Sequence, residues 1–157
     1  MSVFIHQLPD AKDLFLATTE HLKPLYPKIR PLLVEKDYWI MHALWGLKSL
    51  GFTFQLKGGT SLSKGFGIID RFSEDIDIHI EPFDDEKLFI GKNHDEEKHV
   101  RSRENFFSNL INKITISGLQ PERDYEFDDR KLRNAGIRLH YKSFFESESN
   151  INVSNLS

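Results

Sequence analysis

Two aspartates, Asp75 and Asp77, open a segment in which polar and apolar residues alternate as far as Ile80. Such alternation predicts a strand with one buried face. Because residues i and i+2 of a strand point to the same face, we expect the two carboxylates roughly 6.5–7 Å apart along it. Carboxylates at that spacing can share hard cations such as Mg²⁺ through their oxygens. A half-exposed strand with solvated acids is the alternative, although Asp is disfavoured in strands, so two on one face call for a reason.

A double glycine, Gly58 and Gly59, stands earlier in the chain, between an apolar run and a hydroxyl-rich segment. Glycine lets the backbone approach a bulky anion closely, and the exposed amides and positive end of a helix start favour phosphate. The polar residues that follow add hydroxyl donors and a positive charge: Thr60, Ser61 and Lys64. For this segment alone a helix cap after a tight turn is the alternative, because the spacing of a Walker phosphate loop is absent.

Apolar periodicity and glycine or proline breaks predict the elements that must position these residues. Helices are predicted at residues 12–21, 32–50, 61–66 and 97–116. Strands are predicted at residues 52–56, 75–80, 125–128 and 136–141, the last two forming a hairpin.

Particular residues mark the limits of these elements. We expect Asp10 to cap the first helix and Gly51 to end the second. Trp39 and Trp45 stand at helical spacing and are expected in the core rather than as base-stacking platforms. After Phe145 the chain continues as Glu-Ser-Glu-Ser-Asn, and we expect it to leave the core there.

Composition indicates a globular domain. Of the 157 residues, 39% are hydrophobic and 29% charged, which argues against a disordered chain, and no apolar run approaches membrane-spanning length. The net charge of −3 excludes a strongly basic nucleic-acid-binding domain, but not a local basic patch such as Arg130 to Arg138. The absence of Cys excludes a disulfide framework and a thiolate zinc site and fits a reducing, cytoplasmic location. The mixed order of helices and strands predicts an α/β (α+β) fold.

The residues of the two motifs resemble those of a known protein family. KGGTSLSK followed by DRFSEDIDI closely resembles the AbiEii/AbiGii-type nucleotidyltransferase toxins, which are members of the polymerase-β-like nucleotidyltransferase superfamily. The segment from Glu35 to Ile40 also resembles the one that precedes the glycine motif in that family. The likeness is strong from Glu35 to Ile80 and weaker as far as Tyr141.

The resemblance implies a polymerase-β-like nucleotidyltransferase core, with a mixed sheet flanked by helices. Residues 1–157 are expected to form one nucleotidyltransferase domain, with N-terminal helices at 10–50 and the core at 52–145. The further C-terminal helical region usual in the family is not found, which favours a fragment of a longer chain.

The resemblance also implies how the nucleotide is bound. The backbone of Gly58 and Gly59 would face the phosphates of a nucleoside triphosphate (NTP), the substrate. Ser61 would donate a hydrogen bond to a phosphate, and Lys64 would neutralise phosphate charge.

Asp75 and Asp77 are implied to hold one or two Mg²⁺ ions. Ser73 stands in the family's S-x-D position and would contact a phosphate or position the metal site, with a loop hydroxyl that ties down the turn as the alternative. Arg71 would pair with a phosphate, or with the neighbouring acids as a solvated ion pair.

The family's third carboxylate, on a later strand, has no obvious counterpart. The strand predicted at 136–141 contains no acid. Three interpretations follow: a fragment of a longer enzyme, a role for Glu146 or Glu148 as the third acid, or a shortened protein that binds nucleotide without turning it over.

The function implied by the resemblance is nucleotidyl transfer from an NTP to an RNA end, such as a tRNA acceptor terminus, or to a protein hydroxyl. Such an enzyme would be the toxin of a bacterial toxin–antitoxin or abortive-infection system, paired with a cognate antitoxin, and no membrane partner is expected. A catalytically incompetent NTP- and Mg²⁺-binding module is the first alternative. A structural domain with D-x-D on its surface is the second.

Overall fold

A five-stranded sheet forms the centre of the structure. The computed structural model describes residues 3–56, 76–81, 97–124, 136–147 and 149–154. In these ranges the helices are α1 (Ala11–Leu22), α2 (Pro31–Ser49) and α3 (Glu97–Lys113), preceded by a short 3-10 turn at Ile5–Gln7. The strands are β1 (Thr53–Leu56), β2 (Ile76–Glu81), β3 (Gln120–Asp124), β4 (Gly136–Tyr141) and β5 (Ser149–Ser154). The predicted α/β fold class is therefore confirmed.

The ends of the first two helices follow from local sequence. Asp10 is the N-cap residue of α1, as predicted, but its side chain makes no capping hydrogen bond. Its backbone carbonyl instead accepts the first helical bond, from Leu14 N–H at 3.0 Å. α2 begins at Pro31, whose fixed φ suits a first helical turn. Gly51 follows α2 with a φ of +91°, the left-handed conformation that ends a helix, as predicted.

The two tryptophans of α2 have different environments. Trp39 is only 2% exposed and belongs to the main core, as predicted, whereas Trp45 is 52% exposed. The six residue steps from Trp39 to Trp45 correspond to about 600° of helical rotation, which puts the two side chains roughly 120° apart around the helix axis. The helix therefore buries one of them and leaves the other at the surface, and the prediction of a core Trp45 is wrong.

The strands are arranged in the order β1-β2-β5-β4-β3. All neighbouring strands are antiparallel except β2 and β5, which run parallel. A parallel pair needs a long crossover connection, and here α3, β3 and β4 all lie between the two strands in the chain. The sheet is mixed, as the resemblance implied.

One face of this sheet is buried against the helices. Its buried side chains alternate along three strands: Ile76, Ile78 and Ile80 of β2, Ile137, Leu139 and Tyr141 of β4, and Ile151 and Val153 of β5. They form one core cluster with apolar residues of α2 and α3, including Leu47, Phe107 and Leu110. The residues between them occupy the opposite face, because successive strand residues point to opposite sides.

The C-terminal half contains one correction and one strand that was not predicted. α3 ends at Lys113 rather than at residue 116, and a strand, β3 (Gln120–Asp124), follows it. Residues 125–128 and the helix predicted at 61–66 lie outside the described residues. β4 does pair antiparallel with a strand that precedes it in the chain, and in the described residues this partner is β3. Pro121 is accommodated because β3 is an edge strand of the described sheet.

The prediction that the chain leaves the core after Phe145 is wrong. β5 lies between β2 and β4 in the sheet, and Ile151 and Val153 are 0% and 3% exposed. The sequence Ser-Asn-Ile-Asn-Val-Ser alternates with a period of two. Its asparagines lie on the face opposite the core, so a strand that looks polar in composition is buried on one side.

Within the described ranges, no helix is both long enough and apolar enough to cross a membrane.

Candidate active site

The first feature of the candidate site is the meeting of β1 with the start of β2. Leu56, the last residue of β1, is the antiparallel partner of Ile78. Asp77 is therefore one residue further along β2 in the direction in which the chain leaves β1. The Gly58–Gly59 segment follows Leu56 directly in the sequence, so the polypeptide enters it from a strand end that borders Asp77.

Asp77 occupies a position on the face of the sheet away from the helices. Its neighbours Ile76 and Ile78 are both 0% exposed and belong to the core. Alternation along β2 assigns Asp77 and His79 to the opposite face. The predicted apolar face of this strand is confirmed, because Ile76, Ile78 and Ile80 are all buried.

Strand β5 borders Asp77 on the other side. Ile76 and Val153 are Cα partners in the parallel register, and so are Asp77 and Ser154. Since Ile76 and Val153 are both core residues, position 154 shares the face of position 77, about one strand spacing of 4.8 Å away. Asn152 and Asn150 precede Ser154 on that same face.

Asn152 has an unusual environment. Its side-chain oxygen Oδ1 is buried and has no hydrogen-bond partner among the described residues. A buried acceptor without a donor costs roughly 1–3 kcal/mol, and such groups commonly mark a ligand, ion or water site.

The same face continues across β4 to β3. Arg138 is the register partner of Asn152 in β4, and Glu122 is the partner of Arg138 in β3. His140 Nε2 lies 2.6 Å from Glu122 Oε2. Of the basic cluster predicted at 130–138, Arg138 is described, and it lies on the face of Asp77, two strands away.

Most of the predicted site residues lie outside the described ranges. They are Gly58, Gly59, Thr60, Ser61, Lys64, Arg71, Ser73 and Asp75. For Asp77 the backbone position and register are established, as given above.

The family model of the AbiEii nucleotidyl transferase toxins, of type IV toxin–antitoxin systems, matches residues 40–154. The chain belongs to the AbiEii family. No curated protein and no solved structure matches it. The matched range contains the glycine motif, the D-x-D motif and all of β5. The AbiEii domain therefore includes β5, the strand that was not predicted from the sequence.

Glu146, one of two candidates for the third carboxylate of this AbiEii domain, lies at the wrong end of β5. It stands in the connection between β4 and β5, where its carboxylate accepts a hydrogen bond from the hydroxyl of Ser149. Ser149 is the first residue of β5, and Ser154, the partner of Asp77, is the last. The two residues are five steps apart along the strand, a distance of about 16 Å. Glu146 is therefore too far away to serve at Asp77, and Glu148 lies outside the described residues.

The donor chemistry beside Asp77 suits a hard cation. By residue type, the neighbouring backbone positions 77, 152 and 154 carry Asp, Asn and Ser, which are oxygen donors, and Mg²⁺ prefers oxygen ligands. Thiolates, which would favour zinc, are absent from the sequence. No group of three or more His, Asp or Glu residues is arranged for metal binding in the described part of the chain, so any such site must draw on other oxygen donors or on residues outside it.

Glu35 of α2 is a residue whose role the sequence did not reveal. It is 0% exposed. Its carboxylate accepts hydrogen bonds from the Ser143 hydroxyl and, at 2.9 Å, from the Phe144 backbone N–H. Ser143 Oγ in turn accepts from the backbone N–H of Phe145 at 3.0 Å. Glu35 thereby fixes the connection between β4 and β5 to α2.

The sequence signal for Glu35 was only its place in the segment that resembles the AbiEii family. An isolated Glu in a helix is usually solvated, and the partners of Glu35 are more than a hundred residues away in the chain.

Burial raises the pKa of the nearby Tyr141 hydroxyl to about 12, so this group stays protonated in the same buried region.

Proposed function

We propose that this AbiEii-family chain is a Mg²⁺-dependent nucleotidyltransferase that moves a nucleotide from an NTP to a hydroxyl of RNA, with tRNA as the acceptor. It would act in the bacterial cytoplasm as the toxin of a toxin–antitoxin or abortive-infection system. Family membership supplies the nucleotidyl transferase class and the toxin–antitoxin context. The observation that carries the site is the position of Asp77, on the face of β2 opposite the core and beside the end of β1.

The glycine motif binds the triphosphate in this proposal. Gly58 and Gly59 let the backbone amides approach the phosphates closely. Thr60 and Ser61 donate hydrogen bonds to phosphate oxygens, and Lys64 offsets their negative charge.

Asp75 and Asp77 hold the cation. Magnesium, when bound, orients the triphosphate, activates the attacking hydroxyl and stabilises the pyrophosphate leaving group. Ser73 and Arg71, between the two motifs in the chain, contact a phosphate or support the metal site. The residues act chiefly by positioning and by charge stabilisation, because phosphoryl transfer asks little covalent chemistry of the protein.

The acceptor RNA is proposed to approach over the polar sheet face on the β4 side of Asp77. Arg138 and His140 lie there, and a cation beside the reaction centre can bind backbone phosphates. Since the whole chain carries a net charge of −3, RNA binding has to depend on such a local group.

The test incubates the protein with Mg²⁺, each labelled NTP in turn and total tRNA. Label should pass to RNA with the unaltered chain and be lost with Asp75→Ala and Asp77→Ala. Asp13→Ala, which removes an exposed acid from α1, is the matched control and should transfer normally. Transfer that survives Asp77→Ala, or no transfer by this chain and by any longer version of it, would overturn the enzymatic proposal.

A second candidate is an NTP- and Mg²⁺-binding module without turnover. The observation that favours it is that β5, the strand beside Asp77, contains no acid from Ser149 to Ser154. Mg²⁺-dependent NTP binding without transfer to RNA would identify this module. The absence of any Mg²⁺-dependent NTP binding would leave only the structural domain.

A further inference from the structure

Asn152 carries a buried polar atom on β5, the strand next to β2 and Asp77. It lies on the face of Asp77, as its core neighbours Ile151 and Val153 require. From Asp77 it is one strand across and two residues along, which corresponds to about 8 Å between Cα atoms. Its buried Oδ1 has no partner among the described residues.

The chemistry of this oxygen matches what the site needs. An Asn carbonyl oxygen is an established type of ligand for hard cations, and Mg²⁺ commonly keeps waters that bridge to further protein oxygens. One metal-bound water can therefore connect a cation held on one strand to a protein oxygen on the neighbouring strand. An amide oxygen on β5 can therefore complete a site whose carboxylates lie on β2.

We propose that Asn152 supplies this site with a neutral oxygen ligand, through Oδ1 directly or through one metal-bound water, at the strand where a third carboxylate would otherwise stand. The inference rests on the proposed function, since it needs the cation at Asp75 and Asp77. It also assigns the site a charge of two carboxylates rather than three, and thus a weaker cation affinity than a three-acid site would have.

The experiment measures Mn²⁺ binding to the full chain by electron paramagnetic resonance of the free ion, with Mg²⁺ as competitor. Asn152→Leu removes the oxygen and should weaken Mn²⁺ binding about tenfold, as expected for a lost contact to a charged group. Asn152→Asp replaces the amide by a carboxylate of the same shape and should tighten binding about tenfold.

Asn150 provides the matched controls. It lies on the same strand and face, two residues further from Asp77 and opposite His140. Asn150→Leu and Asn150→Asp should leave Mn²⁺ affinity within about twofold of the unaltered chain, because an added charge there is screened by solvent. If Asn152→Leu fails to fold, the pair Asn152→Asp and Asn150→Asp still decides the question.

The Asp77→Asn variant distinguishes two claims: that a metal site exists at Asp75 and Asp77, and that Asn152 is one of its ligands. Loss of Mn²⁺ binding in Asp77→Asn together with the two opposite shifts at Asn152 supports both claims. If Asp77→Asn abolishes binding while the Asn152 and Asn150 variants behave alike, the inference about Asn152 is wrong and the metal site stands. Full Mn²⁺ affinity in Asp77→Asn would overturn the metal site itself.

Discussion

Asp77 of β2 and Ser154 of β5 are partners in a parallel strand pair, although 76 residues separate them in the sequence. One side of the candidate site is therefore formed by a strand that follows α3, β3 and β4 in the chain. Whatever fixes the connection before β5 also fixes the residues beside Asp77. Glu35 has that role, because it binds the β4–β5 connection from α2.

Replacement of Glu35 should destabilise the fold. Glu35→Ala leaves the half-buried Phe144 N–H without its acceptor and creates a cavity, and we expect a loss of about 3 kcal/mol in the free energy of unfolding. Glu35→Gln keeps the shape and one acceptor oxygen and should cost about 1 kcal/mol. Urea unfolding followed by tryptophan fluorescence measures both values.

Glu20→Gln is the control for the Glu35 variants. Its side chain is 70% exposed and pairs only with Lys23 at the surface, so the change should cost less than about 0.5 kcal/mol. Equal effects of the Glu20 and Glu35 substitutions would show that the buried hydrogen bonds of Glu35 contribute nothing to stability.

Two glycines with positive φ should respond differently to alanine. Gly51 has a φ of +91° and open space around a built Cβ, so Gly51→Ala should cost only the backbone strain, about 1 kcal/mol. Gly118 has a φ of +80°, and its Cβ would lie 2.8 Å from Trp39 Cη2 and 2.9 Å from His6 Nε2. Gly118→Ala should therefore cost about 1–3 kcal/mol more than Gly51→Ala. Thermal unfolding of the two variants compares them, and equal losses would contradict the close packing of Trp39 against this turn.

Stability should fall in mild acid because of His6. Burial, and secondly the nearby His42, hold the pKa of His6 below its ordinary value of 6.5. Its Nδ1 lies 2.7 Å from the Tyr38 hydroxyl and its Nε2 lies 3.1 Å from Ser117 Oγ. The neutral ring, with one donor and one acceptor nitrogen, can form both hydrogen bonds. Because the unfolded chain binds this proton more readily, the His6 contribution is complete above pH 6.5 and is lost as the pH falls through the lowered folded-state pKa.

Urea unfolding midpoints measured from pH 7.5 down to pH 5 check the His6 prediction. His6→Gln cannot take up the proton, so its midpoint should decline less across this window than that of the unaltered chain. Parallel declines in the two proteins would contradict the role of His6 and assign the acid sensitivity to other groups.

The sequence predicted β2, α2 and the fold class because each depends on local pattern. The alternation from Asp75 to Ile80 needs no distant partner, and the left-handed Gly51 marks the end of α2 by itself. β5 carried the same alternation, but its polar residues are Asn and Ser, which also dominate loops. Composition therefore outweighed periodicity in the prediction for that segment.

Features that depend on contacts between distant parts of the chain could not be predicted from the sequence. The partnership of Asp77 with Ser154 is set by a crossover through the whole C-terminal half. The burial of Glu35 depends on Ser143 and Phe144, which come together with it only in the folded chain. The distance of Glu146 from Asp77 likewise follows from the direction of β5 and from nothing in its local sequence.

The mass of the RNA product tests nucleotide transfer to tRNA most directly. Purified tRNA is incubated with the protein, Mg²⁺ and a single NTP, and the 3′ end is examined by mass spectrometry while released pyrophosphate is counted. We expect tRNA heavier by whole nucleotide monophosphates, one pyrophosphate per addition, and neither change with Asp77→Asn. Unchanged tRNA with every NTP, or equal additions by the Asp77→Asn variant, would show that the chain does not transfer nucleotides to tRNA through Asp77.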